Sequence, residues 1–353
     1  MRRLTHLTLR RVAAAAASVF LFCGAAIYGS QTTPSPLQTP PAYRQVTDEI
    51  GRTIRIPQSI HRIVSLAPNL TETIYALGLQ DRLVGDTDYC DFPPGAQQKT
   101  KVGGAINPSL EAIAALHPDL VLVTKNLNRL ETVQALAEIG IPSYATDPHT
   151  LDAIIASVAR LANLLGAPET GTVLAADLER QLSALHDRLS SRPPRRVLFI
   201  VWTEPLISIG KDTFIADALR HAGAVSVIDS SQNWPQINLE EVVHLQPEFL
   251  IFAEPHAGAA PHAADAFAGL PGWRLLNAVR NHRYVTISDS INRPAPRLMS
   301  AVEDLARQLH PEAFTEKLQN DKDNAPATST PPHALSFAPT GNDAISEEQA
   351  CAR

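Results

Sequence analysis

The sequence predicts an α/β protein built as two Rossmann-like lobes joined by a single long rigid helix, with a ligand cleft between the lobes. Three observations carry that expectation. Short apolar runs alternate along the chain with segments of helical period, the pattern of sheets flanked by helices. A unit occurs twice without a gap, at residues 109–123 and 238–252: a polar cap (Ser109, Asn238), a leucine, a glutamate (Glu111, Glu240), a proline before an acid (Pro118, Pro247) and an apolar strand. Between the copies, residues 168–189 place Val173, Leu174, Leu178, Leu182, Leu185 and Leu189 at helical spacing, which makes a rod roughly 30 Å long at about 1.5 Å per residue. Repeated helix–strand grammar alone supports duplication only moderately. Its occurrence on both sides of one long helix favours two similar lobes.

Element by element, residues 46–57 read as two short alternating strands around a turn at 49–51. Residues 62–66 form a buried strand, and residues 69–78 a short helix with Leu70, Ile74 and Leu77 on one side. Asn69 and Glu72 have the spacing of a capping box at its start. A strand at 120–123, a helix at 130–139 ended by Gly140, a strand at 142–145 and a helix at 151–165 ended by Gly166 follow. Pro193-Pro194 stops the long helix. The second half repeats the alternation: strand 196–201, helices 213–222 and 238–245, strand 249–253, helix 264–269 leading into the segment 273–279, strand 284–287, and helix 296–309.

The two ends read differently from the body. Arg2, Arg3, Arg10 and Arg11 precede an apolar run at 12–27, the layout of an export signal over residues 1–30; the rival reading is a retained single-pass anchor. Residues 31–45 form a Pro-rich linker, 46–168 the N-terminal lobe, 169–192 the connecting helix and 193–315 the C-terminal lobe, and residues 316–353 are expected to be a mostly disordered tail. The chain has 353 residues and a formal charge of −6. Removing residues 1–30 takes away four arginines and no acids, leaving 26 basic against 36 acidic residues, a charge of −10. An acidic body with scattered basic residues excludes nucleic acid as a partner. Cys23, Cys90 and Cys351 match neither a zinc motif nor a disulfide framework, although a Cys90–Cys351 pair stays open.

No GxGxxG loop, GxxxxGK(S/T) loop, HExxH or GxSxG elbow is present, which lowers the expectation of an enzyme. His256 and His262 share one Pro/Ala-rich loop but fall short of a metal set, so no metal ligands are assigned. Glu111 and Glu240 each occupy the first turn of a capped helix, where the helix dipole favours an anion. Either they stabilise their helices locally, or they form a matched pair of exposed acids, one per lobe, offered to basic sockets on a partner. Tyr89 in the loop 85–94, Trp202 after the first strand of the second lobe, and Trp234 before Pro235 are the ligand candidates, because ligands gather beyond the carboxyl ends of strands in open α/β sheets. Packing roles for Trp202 and Trp234 are the alternative. Arg293 is placed with them as a contact for anionic ligand groups; Arg297 reads as a surface or capping residue. Cys90 is read as an inert thiol rather than a ligand.

Five segments together resemble the periplasmic substrate-binding proteins of ABC importers for vitamin B12 and iron chelates: residues 46–57, residues 62–72 (RIVSLAPNLTE), residues 110–120 (LEAIAALHPDL), Trp234-Pro235-Gln236 with Leu239-Glu240, and Arg293-Pro-Ala-Pro-Arg297. The resemblance covers about residues 46–314. It implies a binding protein without catalysis, two lobes with limited hinge motion, export to the periplasm, a monomer, and an ABC permease as partner. The sequence looks most similar to the cobalamin branch, with Tyr89 and Trp234 at aromatic positions that contact the corrin there, and Glu111 and Glu240 at the two acids that meet permease arginines. Ala105 and Thr124 stand where the best-known member of that branch carries tryptophans. The cargo implied is therefore cobalamin or a related metal chelate, with an iron-siderophore or haem as the alternative, and no intrinsic cofactor. From other classes, a metal-dependent enzyme using the cleft and a membrane-anchored interaction module remain as rival readings.

Overall fold

The computed structural model describes residues 42–254, 269 and 271–315. The export signal, most of the linker, the loop with His256 and His262, nearly all of the helix expected at 264–269, Cys23, Cys351 and the tail lie outside the described residues.

An antiparallel hairpin of β1 (Tyr43–Thr47) and β2 (Thr53–Pro57) opens the chain. Its turn is pinned by buried Asp48, which accepts from the Ile50 and Arg52 amides. β3 (Ile63–Ser65), β4 (Leu83–Asp86), β5 (Thr100–Lys101), β6 (Leu120–Thr124) and β7 (Ser143–Thr146) make a parallel sheet in the order β5-β4-β3-β6-β7. Helices α1 (Pro68–Ala76), α2 (Leu110–Ala115), α3 (Leu130–Glu138) and α4 (Leu151–Leu165) accompany it. Strands such as β6, buried at all five positions, are near-continuous apolar runs because helices cover both faces.

After α5 (Pro168–Leu189), a second parallel sheet runs β11-β8-β12-β13, from β8 (Arg195–Ile200), β11 (Ala224–Ser226), β12 (Phe249–Ala253) and β13 (Tyr284–Ile287). A small hairpin, β9 (Trp202–Thr203) and β10 (Leu206–Ile207), projects from the end of β8. The helices are α6 (Phe214–His221), α7 (Leu239–Leu245), α8 (Asn277–Arg280) and α9 (Leu298–Leu309). The protein is therefore a two-lobed α/β molecule with a connecting helix, as the alternation of patterns predicts. No helix among the described residues is long and apolar enough to cross a membrane.

Three expectations need correction. The capping box at Asn69 and Glu72 is absent: Pro68 occupies the first turn, Ala67 is the N-cap, and both polar residues sit buried inside the helix. Proline's fixed φ starts a helix without a side-chain cap, which frees Glu72 for another task. Val173 is 71% exposed, so the buried stripe of α5 is Leu178, Leu182, Leu185 and Leu189, with Leu174 partly buried. The connection between lobes also uses more than α5. Leu151, Ile154 and Ile155 of α4 enter the core of the second sheet, while Val158, Leu161, Ala162 and Leu165 of the same helix enter the core of the first. Gly171 lets α5 lie directly on α4, since a Cβ there would come within 2.2 Å of the Ala162 Cβ.

Candidate functional site

Both sheets are parallel, so each presents one edge of carboxyl strand ends, and the segments leaving those ends carry eight of the large exposed apolar side chains. In the first lobe these are Tyr89 and Phe92 beyond β4, Ile106 beyond β5, and Leu127 and Leu130 beyond β6. In the second lobe they are Val201 and Trp202 at the end of β8 and Trp234 beyond β11. Tyr89 is 59% exposed, Trp202 55% and Trp234 49%, so neither tryptophan is a core anchor. Trp202 donates its indole N–H to the Glu204 carbonyl (2.9 Å) and pairs with Ile207 across the hairpin; Ile207 in turn bridges to Gln236, two residues past Trp234. The Tyr89 ring lies beside Gly104.

The strand ends of the two lobes are joined by a charge cluster. Arg293, which follows β13, donates to Glu72 Oε1 on α1 (2.9 Å) and to Asp91 Oδ1 in the Tyr89 loop (2.7 Å), and pairs with Asp289 Oδ2 (2.8 Å). Arg297 clasps both oxygens of Glu72 (3.0 and 2.8 Å) and covers the Phe92 ring at 4.0 Å. Burial works against the Arg293 charge, but the hydrogen bond to Asp91, the field of Asp289 and the bond to Glu72 outweigh it and hold the guanidinium above the usual arginine range. The structure thus commits Arg293, only 7% exposed, to three carboxylates, and makes Arg297 part of the same interlobe pairing rather than a cap. Sequence reasoning missed Glu72 and Asp91 as partners; partners 221 and 202 residues apart leave no local signature. Beside this cluster, Tyr75, Ala76, Phe92, Pro93 and Pro296 wall a cavity of about 280 Å³ with Glu72 and Arg297 at its polar side.

Beneath Tyr89 the loop is polar and closely tied. Cys90 is buried, its Sγ within 3.2 Å of the Thr71 and Thr87 hydroxyls, and burial pushes its thiol up despite those bonds, so it stays protonated and inert. Asp86 at the end of β4 is fully buried and held by Lys101 Nζ at 2.8 Å. Ala105 and Thr124 are also buried; Asn128 accepts from the Thr124 amide (2.7 Å) and donates to the Leu66 and Ala105 carbonyls (both 2.8 Å). Ile106 and Asn107 beside Ala105, and Lys125, Asn126 and Leu127 after Thr124, are exposed, so this rim mixes aliphatic and polar side chains.

Glu111 and Glu240 are exposed, each in the first turn of its helix. Ser109 Oγ accepts from the Ala112 amide and Asn238 Oδ1 from the Glu240 amide, as their capping positions predict. Because α2 leads back into β6, and α7 into β12, both parallel to their neighbours, each helix begins at its own lobe's carboxyl edge. Each acid therefore stands at the cleft end of its lobe. Among the described residues no group of three or more His, Cys, Asp or Glu side chains is placed to hold a metal ion.

Residues 63–290 match the family model described as periplasmic binding protein. The chain is 32% identical over 256 residues to the vitamin B12-binding protein of Vibrio cholerae serotype O1, covering 72% of this chain and 90% of that protein. Among solved structures it resembles the periplasmic vitamin B12 binding protein BtuF of Vibrio cholerae (30% identity, TM-score 0.63, covering 72% of this chain and 98% of that one). It also resembles the periplasmic heme-binding protein RhuT from Roseiflexus sp. RS-1 (26% identity, TM-score 0.64, covering 72% and 99%).

Proposed function

The chain belongs to the periplasmic binding protein family, and from that membership we propose that it captures a corrinoid of the cobalamin type and hands it to an inner-membrane ABC permease. The family consists of binding proteins rather than enzymes, and the coarser function, delivery of a small ligand to a permease, goes with it. Exposed Tyr89, Trp202 and Trp234 at the strand ends of both lobes carry the reading of the site. Flat rings and aliphatic rim residues suit a large, largely apolar macrocycle, and each aromatic brings contact area at little conformational cost. Arg293 lies at the base of the cleft, where its bonded carboxylates make it an organiser of the floor and an anionic edge of the cargo its remaining contact. Residues 1–30 serve as the export signal, 31–45 as the linker, 46–168 and 193–315 as the lobes about the 169–192 helix.

Docking uses Glu111 and Glu240. One acid at the cleft end of each lobe gives a two-point electrostatic dock that fixes orientation, with the cargo presented between them. The protein acts as a monomer and supplies no metal ligand, since the cargo arrives already chelated.

Haem is the second reading. Ala105 and Thr124 are buried and not aromatic, which leaves Tyr89 and Phe92 as the exposed rings among the described residues of the first lobe's rim, and a heme-binding protein matches the fold as well as a B12-binding one does. Titration with cyanocobalamin, cobinamide and hemin, followed by tryptophan fluorescence and the visible spectrum of each ligand, decides between them. Saturable binding of either corrinoid with quenching of Trp202 and Trp234 is expected; binding of hemin alone overturns the corrinoid assignment.

A further inference from the structure

Tyr89 sits on a loop that one ammonium group ties at three points. Lys101 is the register partner of Asp86 across the β4–β5 pair. Its Nζ lies 2.8 Å from Asp86 Oδ1, 3.1 Å from the Cys90 carbonyl and 3.2 Å from the Ala96 carbonyl. Those three acceptors belong to the strand end before the loop, the residue after Tyr89, and the short turn that closes the loop. Three donors on one ammonium match three acceptors. Other bonds define the loop's backbone: the Asp88 amide to the Gly103 carbonyl (3.0 Å), the Cys90 amide to that of Thr87 (3.0 Å) and the Asp91 amide to that of Tyr89 (3.1 Å). Gln97 Nε2 ties the closing turn to the Asp91 carbonyl (3.0 Å), and Lys101 ties that turn both to Cys90 and to the strand end. Asp86 keeps its second oxygen buried without a hydrogen-bond partner, an arrangement stable only while the first oxygen has its cation.

We infer that Lys101, anchored by Asp86, is the positioning residue that holds the Tyr89 loop in its ligand-accepting shape before cargo arrives. The role rests on the reading of Tyr89 as a cargo contact. Fixing the loop in advance removes an ordering cost from binding, so Lys101 acts on affinity without touching the ligand. Burial pushes the Asp86 carboxyl up to about 6, with Lys101 and Lys99 lowering it and Asp88 raising it further; Tyr75 on α1 and the Cys90 thiol in the loop are its other titratable neighbours. Below that pH Asp86 becomes neutral and the ionic half of the anchor is lost.

The test compares the full chain with Lys101→Met, Tyr89→Ala, the double variant, and Asp86→Asn/Lys101→Met, which leaves no buried charge alone if Lys101→Met folds poorly. In ligand-free protein, amides of residues 87–96 are expected to exchange at least tenfold faster in either Lys101 variant while β3 and β6 exchange as before; unchanged exchange in that loop overturns the inference whatever the cargo proves to be. With cyanocobalamin as probe, Lys101→Met weakens binding about tenfold and adds nothing in the Tyr89→Ala background. Wild-type affinity falls as the pH drops through about 6, a dependence Lys101→Met lacks. Additive losses, or a retained pH dependence, overturn the positioning role. If Tyr89→Ala binds as tightly as wild type, the cargo reading of Tyr89 falls instead, and loop exchange alone decides whether Lys101 sets the loop.

Discussion

At Glu72 two guanidinium groups from the second lobe converge on a carboxylate that water barely reaches. Removing one member of a buried pair leaves the others charged and dry, at a cost of about 3–5 kcal/mol. Urea unfolding of Glu72→Ala is expected to show a loss of that size, and a loss below about 1 kcal/mol would mean the cluster is solvent-relaxed. Asp86 has the opposite electrostatics. Its carboxyl is raised from 3.8 to about 6 by burial, so the folded protein holds a proton that the unfolded chain releases. The associated stability is fully present below pH 3.8 and is lost as the pH rises through about 6. Relative to Asp86→Asn, the wild type should therefore lose roughly 2–3 kcal/mol between pH 4 and 7, measured by urea unfolding across that range; parallel curves for the two proteins contradict it. Neither residue was legible as part of the site. Glu72 fitted a capping pattern, and nothing local marks a carboxylate whose partners arrive from more than 200 residues away.

The elements that the sequence made visible are those with enough length to show a period. α4 matches its expected limits, α5 ends at Leu189, three residues short of the 192 given for the connecting helix, and Gly166 ends α4 in the left-handed conformation that glycine adopts freely. β5, β9 and β10 have two residues each and β11 three, too short for alternation to register, and β4 was not read as a strand, its last two residues falling in the segment read as the Tyr89 loop. The repeated caps held because Ser109 and Asn238 bond locally. Ser109→Ala should cost about 1 kcal/mol, whereas Glu111→Gln, on an exposed side chain, should stay within about 0.5 kcal/mol of wild type; thermal unfolding separates the two. Between α4 and α5, Gly171→Ala gains helix propensity but drives a methyl onto Ala162. The clash should win, with a net loss of roughly 1–3 kcal/mol.

Across the whole molecule, the two lobes are held by three linked devices: α5, the α4 stripe shared between both cores, and the Glu72–Arg293–Arg297 cluster at the cleft floor. A joint supported at that many points permits little closure, so the radius of gyration from small-angle scattering should be the same with and without saturating cargo; a contraction of several ångströms contradicts it. The two-lobe plan was readable from the repeat and the intervening rod. The second straddling helix was not, because α4's stripe looks the same whether one core or two receive it. Delivery of cargo through one acid per lobe is most directly tested with Glu111→Lys/Glu240→Lys and a cognate permease reconstituted in lipid vesicles. The double variant is expected to bind cargo with wild-type affinity yet fail to stimulate the permease ATPase; stimulation equal to that of the wild type would contradict the two-point dock.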